Sequence, residues 1–93
     1  MSVSQELVVQ NSSGLHARPA ARLVADARRF SSDLSLEKDG KVANCKSILS
    51  VLKLGINKGS TIRLKATGAD EPAALASLVA LMHQLASEEA EHR

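Results

Sequence analysis

Gln5 to Phe30 reads QELVVQNSSGLHARPAARLVADARRF, and within this stretch the hydrophobic period changes once. Gln5 to Gln10 is a short β-branched run ending at Asn11-Ser12-Ser13-Gly14, a cluster of turn formers, which predicts a strand followed by a loop. From Ala17 to about Phe30 the apolar residues Ala20, Leu23, Val24 and Ala27 recur at three- and four-residue intervals. That spacing buries one stripe of a helix and leaves Arg18, Arg22 and Arg29 on the other side. A strand leading into an amphipathic helix with a basic outer face excludes an all-helical or all-strand chain.

The same tests extend outward. Leu34 and Leu36 alternate with polar neighbours over Asp33 to Lys38, Asp39-Gly40 is a strong two-residue hairpin signal, and Lys41 to Cys45 resumes an extended pattern. Ser47 caps a short apolar helix over Ile48, Leu49, Val51, Leu52 and Leu54 that Gly55 closes. Thr61 to Thr67 (TIRLKAT) alternates again, with Arg63 and Lys65 on a wet face. Asp70 or Glu71 then starts a long helix with Pro72 in its first turn and Leu75, Leu78, Val79, Met82 and Leu85 as its buried stripe, while Glu88 to Arg93 reads as a frayed end. The order β-α-β-β-α-β-α predicts an α+β open-faced sandwich: a four-stranded, mostly antiparallel sheet with three helices on one face, forming one domain over residues 1–93.

Composition narrows the function. Phe30 is the sole aromatic residue, so no platform for stacking bases exists and nucleic acid is a poor ligand. A KH-type loop fails too, since Gly55 and Gly59 enclose one residue too many. So small a chain has little room for an enclosing active site. Cys45 has no disulfide partner, which fits a reducing compartment, and neither a signal-peptide pattern nor an apolar run longer than Leu78 to Met82 points to export or membrane insertion. The expected location is the cytoplasm. The formal charge of +2 conceals an asymmetry: residues 1–67 hold eleven Lys and Arg against five acids, whereas residues 68–93 hold Arg93 against five acids. A basic body suits an anionic ligand or an acidic partner surface.

Chemistry concentrates in Gly14-Leu15-His16-Ala17-Arg18-Pro19-Ala20. Pro19 lacks an N–H that a first helical turn would leave without an internal partner anyway, so Ala17 to Pro19 is the opening turn and His16 the cap position. An imidazole then stands beside free backbone N–H groups, the positive end of a helix and an arginine fork, a set of groups suited to phosphate. A ring nitrogen there could accept a phosphoryl group. The plain alternative is a capping His16 and a solvated Arg18, because isolated histidines usually do nothing chemical. From the residues alone this is an anion site with a candidate nucleophile. His83 reads as a packing or rim residue near the buried stripe and His92 as solvated, Cys45 as a small core residue, and Ser12 and Ser13 as turn residues that could also help ligate phosphate. No metal-ligand constellation is present in the sequence.

These residues resemble a known family. GLHARPA (Gly14–Ala20) is similar to the active-site signature of HPr, the histidine-containing phosphocarrier of the bacterial phosphoenolpyruvate-dependent sugar phosphotransferase system. Lys46-Ser47-Ile48 followed by Leu54-Gly55-Ile56 and Lys58-Gly59 resembles the family's second signature, and Ala66-Thr67-Gly68-Ala69-Asp70-Glu71 resembles the approach to its last helix. The likeness covers about residues 3 to 87, in the same element order.

The resemblance implies that His16 accepts a phosphoryl group from enzyme I at Nδ1 and passes it to a histidine of sugar-specific IIA components, with Arg18 stabilising the group. It implies no cofactor and no metal. Ser47 matches the serine modified by HPr kinase/phosphorylase, and Ile48, Leu49 and Leu52 match the family's apolar partner-docking side chains. A phosphate on Ser47 would add about −1.5 to −2 charge at a helix start, and a plain N-cap role is compatible with that. The chain then reads as a relay with transferase-type chemistry rather than a self-contained enzyme. Two alternatives stand beside it: a carrier for the nitrogen-related branch, and a regulatory binding protein that docks through Ser47 to a transcriptional regulator. In the family's non-carrier paralogue the histidine is replaced, so His16 favours the carrier.

Overall fold

Alternating apolar residues make pleated strands and three-to-four spacing makes helices, and the computed structural model of the chain realises both; it describes residues 2–10 and 14–91, with side chains through residue 88. The elements are β1 (Ser2–Val8), α1 (Ala17–Ala27), β2 (Asp33–Lys38), β3 (Lys41–Asn44), α2 (Ile48–Lys53), β4 (Thr61–Thr67) and α3 (Glu71–Glu91). The four strands form one sheet in the order β1-β4-β2-β3, and all three pairings are antiparallel.

Register follows from the alternation. Ile62, Leu64 and Ala66 of the central β4 point to the helices, Leu34 and Leu36 of β2 sit opposite Ala66 and Leu64, and Ala43 of β3 sits opposite Leu36. A shift of one residue would turn this apolar set out to solvent, so burial fixes the pairing. Helix α3 lies over β4 and β1, α1 over α3 and α2, and α2 against β3, which leaves the other face of the sheet uncovered. Leu23 of α1, Val51 of α2 and Leu78 of α3 meet Leu36, Ile62 and Leu64 in the aliphatic core that the composition required.

The hairpin between β2 and β3 takes the shape that Asp39-Gly40 predicts, with φ of 52° at Asp39 and 79° at Gly40. Two successive positive φ values match the twist of the flanking strands.

Several boundaries differ from the sequence reading. Strand β1 runs from Ser2 to Val8 rather than Gln5 to Gln10, because it pairs along the whole of β4, from Ser2 opposite Thr67 to Val8 opposite Thr61. Val9 leaves the ladder yet stays buried, tied to the β4 approach by Val9 N to Ser60 O at 2.9 Å and Gly59 N to Val9 O at 2.9 Å. Helix α1 stops at Ala27, where Arg29 N bonds Asp26 O and Phe30 N bonds Ala27 O, three residues back, so the last turn tightens and ends. Strand β3 ends at Asn44, and Cys45 follows as a buried residue still held by its N–H on Leu34 O. Leu54 terminates α2 as its C-cap residue rather than joining its stripe.

The expected frayed end is also corrected. Over residues 88–91 helix α3 continues, to Glu91, and Glu88 accepts from Arg22 of α1 at 2.5 Å and from Gln84 one turn earlier in α3 at 2.9 Å, which ties the first of these residues down. Asp70 does hold the position before α3, but its carboxylate is engaged by the α1–β2 connection. It accepts from Ser31 N at 3.0 Å, Ser32 N at 2.9 Å and Ser32 Oγ, clamping the α1–β2 connection to the start of α3. Glu71 instead accepts from Gly68 N at 3.1 Å.

Candidate functional site

His16 stands at the N-cap position of α1 with extended backbone (φ −82°, ψ −170°), and its carbonyl accepts the first helical bond, from Ala20 N at 3.0 Å. The imidazole is exposed and makes no capping bond. That removes the side-chain cap from the plain alternative. With Pro19 lacking an N–H, the Ala17 and Arg18 amides at the helix start have no partner among the described residues, which leaves donors beside the ring.

What places His16 there is the contact behind it. Gly14 has φ of 65°, and a Cβ on it would lie 2.3 Å from the Ile56 carbonyl oxygen. The next residue donates Leu15 N to that oxygen at 3.0 Å, and Leu15 and Ile56 are both buried. A side chain at position 14 would push this segment off the chain that follows α2. Pro19 is itself buried, so the first turn is held by packing as well as by its fixed φ.

Arginines crowd α1, but most are engaged. Arg22 pairs with Glu88, Arg29 pairs with Asp26 at 2.7 Å and lies 5.5 Å from the Phe30 ring centroid, and Arg28 donates to the Lys46 carbonyl at 3.0 Å. Arg18 is exposed and has no ion-pair partner among the described residues. Of these four arginines, the one with neither an ion pair nor a hydrogen bond among the described residues therefore sits two residues from His16.

Ser47 is the N-cap of α2, half-buried, and its Oγ accepts from Ser50 N at 3.3 Å. Sequence reading missed its neighbours: Asn44 Oδ1 accepts from Lys46 N at 2.9 Å and Ser50 Oγ accepts from Asn44 N at 3.0 Å, which fix the turn from β3 into α2. Of the three apolar residues singled out on α2, Leu49 is 68% exposed, whereas Ile48 and Leu52 are partly buried against the core. The helix offers one outward apolar side chain and two supporting ones.

Other candidates fall away from this end. His83 is exposed on α3, not packed on the stripe, because the buried positions of that helix are Ala74, Leu78, Met82 and Leu85. His92, Ser12 and Ser13 lie outside the described residues. Cys45 is fully buried and burial pushes its thiol up to about 12, so it is a core residue rather than a nucleophile. Among the described residues no His, Cys, Asp and Glu group could hold a metal, and no helix is long and apolar enough to cross a membrane. A groove of about 480 Å³ over Asp33, Ser35, Val42, Asn44, Lys65 and Thr67 lies on the open sheet face and includes none of His16, Arg18 and Ser47.

Fold and site together define a small α+β protein that presents an exposed histidine at a helix start instead of enclosing a ligand. The family model for the PTS HPr component phosphorylation site matches residues 3–84. The chain is 44% identical over 82 residues to the HPr-like protein Crh of Halalkalibacterium halodurans, spanning 88% of this chain and 98% of that one. Against Crh of Bacillus subtilis the figures are 45% over 82 residues, 88% and 96%. It resembles the crystal structure of the phosphocarrier protein HPr from Bacillus anthracis with a TM-score of 0.82 at 42% identity, covering 86% of this chain and 95% of that chain. The chain belongs to the HPr family.

Proposed function

We propose that this protein is a phosphocarrier of the sugar phosphotransferase system, accepting a phosphoryl group from phospho-enzyme I on His16 and donating it to a histidine of sugar-specific IIA components. The observation that carries the reading is the exposed imidazole of His16 at the α1 start, free of any capping bond, two residues from an Arg18 without an ion-pair partner. The His16 Nδ1 lone pair attacks phosphorus as the P–N bond to the donor histidine breaks, and that bond's electron pair returns to the departing ring. Arg18 and the amides at the helix start offset the phosphoryl charge, so the protein supplies position and charge compensation and needs neither metal nor cofactor of its own. Exposure lets two different partners reach the same ring in turn. A cytoplasmic location follows from those partners.

Incubation with phosphoenolpyruvate, Mg²⁺ and enzyme I, the metal serving enzyme I, will label the protein with an acid-labile, base-stable phosphate. Labelling that survives His16→Ala would sink the assignment. Which enzyme I labels the protein faster decides between the sugar branch and the nitrogen-related branch; Lys46-Ser47-Ile48 favours the former.

A second reading concerns regulation. Two curated relatives are Crh proteins, and a solved relative is described as the Bacillus subtilis catabolite repression HPr. Ser47 at the start of α2, beside the outward Leu49, supports control of docking by an HPr kinase/phosphorylase and engagement of a transcriptional regulator through Ile48, Leu49 and Leu52. Both activities fit one protein, since His16 and Ser47 lie on different helices.

A further inference from the structure

The peptide group immediately before Ser47 is held from the end of α1. The Arg28 guanidinium donates from Nε to the Lys46 carbonyl oxygen at 3.0 Å, and the Lys46 ammonium reaches back to the Phe30 carbonyl oxygen at 2.8 Å. The Lys46 carbonyl belongs to the peptide that ends on the Ser47 nitrogen, so covalent geometry alone keeps Arg28 Nε within about 6 Å of the Ser47 Cα. A phosphoryl oxygen on that serine stands several bonds out from the same Cα, a comparable reach. Arg28 is exposed, and its two Nη groups have no partner among the described residues. The fork is thus oriented through Nε and keeps its two Nη groups as an end-on pair of donors, a geometry suited to bidentate binding of phosphate.

Competition is weak. Of the elements packed against α2, α1 supplies Asp26, whose carboxylate is taken by Arg29 and Ser77, and β3 supplies the cation Lys41. None of the described carboxylates bonds Arg28.

We infer that Arg28 is a phosphate-binding residue for Ser47: its Nη groups bind a phosphoryl group on Ser47 while Nε stays on the Lys46 carbonyl. The inference rests on the reading of Ser47 as a modified serine. Modification then does more than add charge. It ties the C-terminal end of α1 to the start of α2 and withdraws one arginine from the basic surface.

The test uses the full chain with phosphoserine installed at position 47 during translation, so that no kinase is required. Titration followed by ³¹P NMR will show the second phosphate ionisation about half a unit lower in the wild-type background than in Arg28→Gln, with Arg28→Lys recovering part of the difference. The melting-temperature change caused by phosphorylation will also be more favourable with Arg28 than in Arg28→Gln, a comparison that subtracts any structural role of the Lys46 contact. Equal ionisation in the wild-type and Arg28→Gln chains overturns the inference. A purified HPr kinase/phosphorylase that leaves Ser47 unmodified counts against the Ser47 reading alone, because the titration does not depend on the enzyme.

Discussion

Replacing Gly14 with alanine separates two costs that a glycine can conceal. Gly14 and Gly55 have nearly the same backbone, φ of 65° and 62°, but a Cβ on Gly14 meets the Ile56 carbonyl oxygen at 2.3 Å while a Cβ on Gly55 meets nothing within 4 Å. Left-handed backbone costs a non-glycine residue roughly 1–2 kcal/mol, and both variants bear that cost. Only Gly14→Ala must also move backbone against a buried contact, a further cost of about 1–3 kcal/mol by analogy with overpacked cores. The expected losses are therefore about 1–2 kcal/mol for Gly55→Ala and about 2–5 kcal/mol for Gly14→Ala.

Urea denaturation measures both, and in a domain of this size the difference appears as an extra fall in melting temperature of roughly 5–20 °C. The same pair reports on function, because Gly14 positions the residues that lead to His16. At a temperature where each variant stays folded, enzyme I will label Gly14→Ala more slowly than Gly55→Ala. Equal destabilisation by the two substitutions would refute the close approach of Gly14 to Ile56 as the reason this segment is built as it is.

Three further outcomes are expected. Ser47→Ala removes the acceptor for Ser50 N and will destabilise the protein by about 1 kcal/mol in denaturant unfolding, and Ser47→Asp will retain most of that stability. The Asp70 carboxyl is lowered from 3.8 to about 2, chiefly by the Ser32 hydroxyl and then the Ser31 amide. Its folded value lies below the unfolded one, so its stabilisation is complete above about pH 5 and is lost as pH falls toward 2; Asp70→Asn will flatten that part of the stability–pH curve, and an unchanged curve would count against the clamp. Cys45, buried and with its thiol raised to about 12, will resist a thiol reagent at pH 8 in the native protein and react fully in denaturant; fast native labelling would contradict its burial.

Local signals were legible and distant ones were not. Strands β2 and β4 carry strict alternation between strong punctuation, Asp39-Gly40 on one side and Gly59 and Gly68 on the other, and their limits match the sequence reading. Strand β1 is weaker, with only Val3 and Leu7 half-buried on the inner side, and its limits come from the length of β4 rather than from its own pattern. His16 as cap residue was readable because Pro19 fixes the frame of the first turn. Asp70 was not, since its partners Ser31 and Ser32 lie 39 and 38 residues away in sequence, and nothing around Asp70 distinguishes a clamp from an ordinary helix cap.

The four arginines of the Arg18–Arg29 segment show why composition could suggest an anion site without locating it. As a sequence they are one basic cluster, and any of them could face a ligand. Folding gives three of them fixed partners: Glu88 from the far end of α3, Asp26 one turn back, and a backbone carbonyl at the start of α2. Glu88 and Asp26 offset the charges of Arg22 and Arg29, whereas the carbonyl only orients Arg28 and leaves its charge at the far end of α1 from His16. Arg18 remains, at the end of α1 where the Ala17 and Arg18 amides also lack partners and the helix dipole is positive. Within that segment Arg18 is thus the arginine that stays without a partner among the described residues and lies beside His16, and neutralising Arg18 should weaken phosphoryl acceptance far more than neutralising Arg22 or Arg29, whose charges are already balanced.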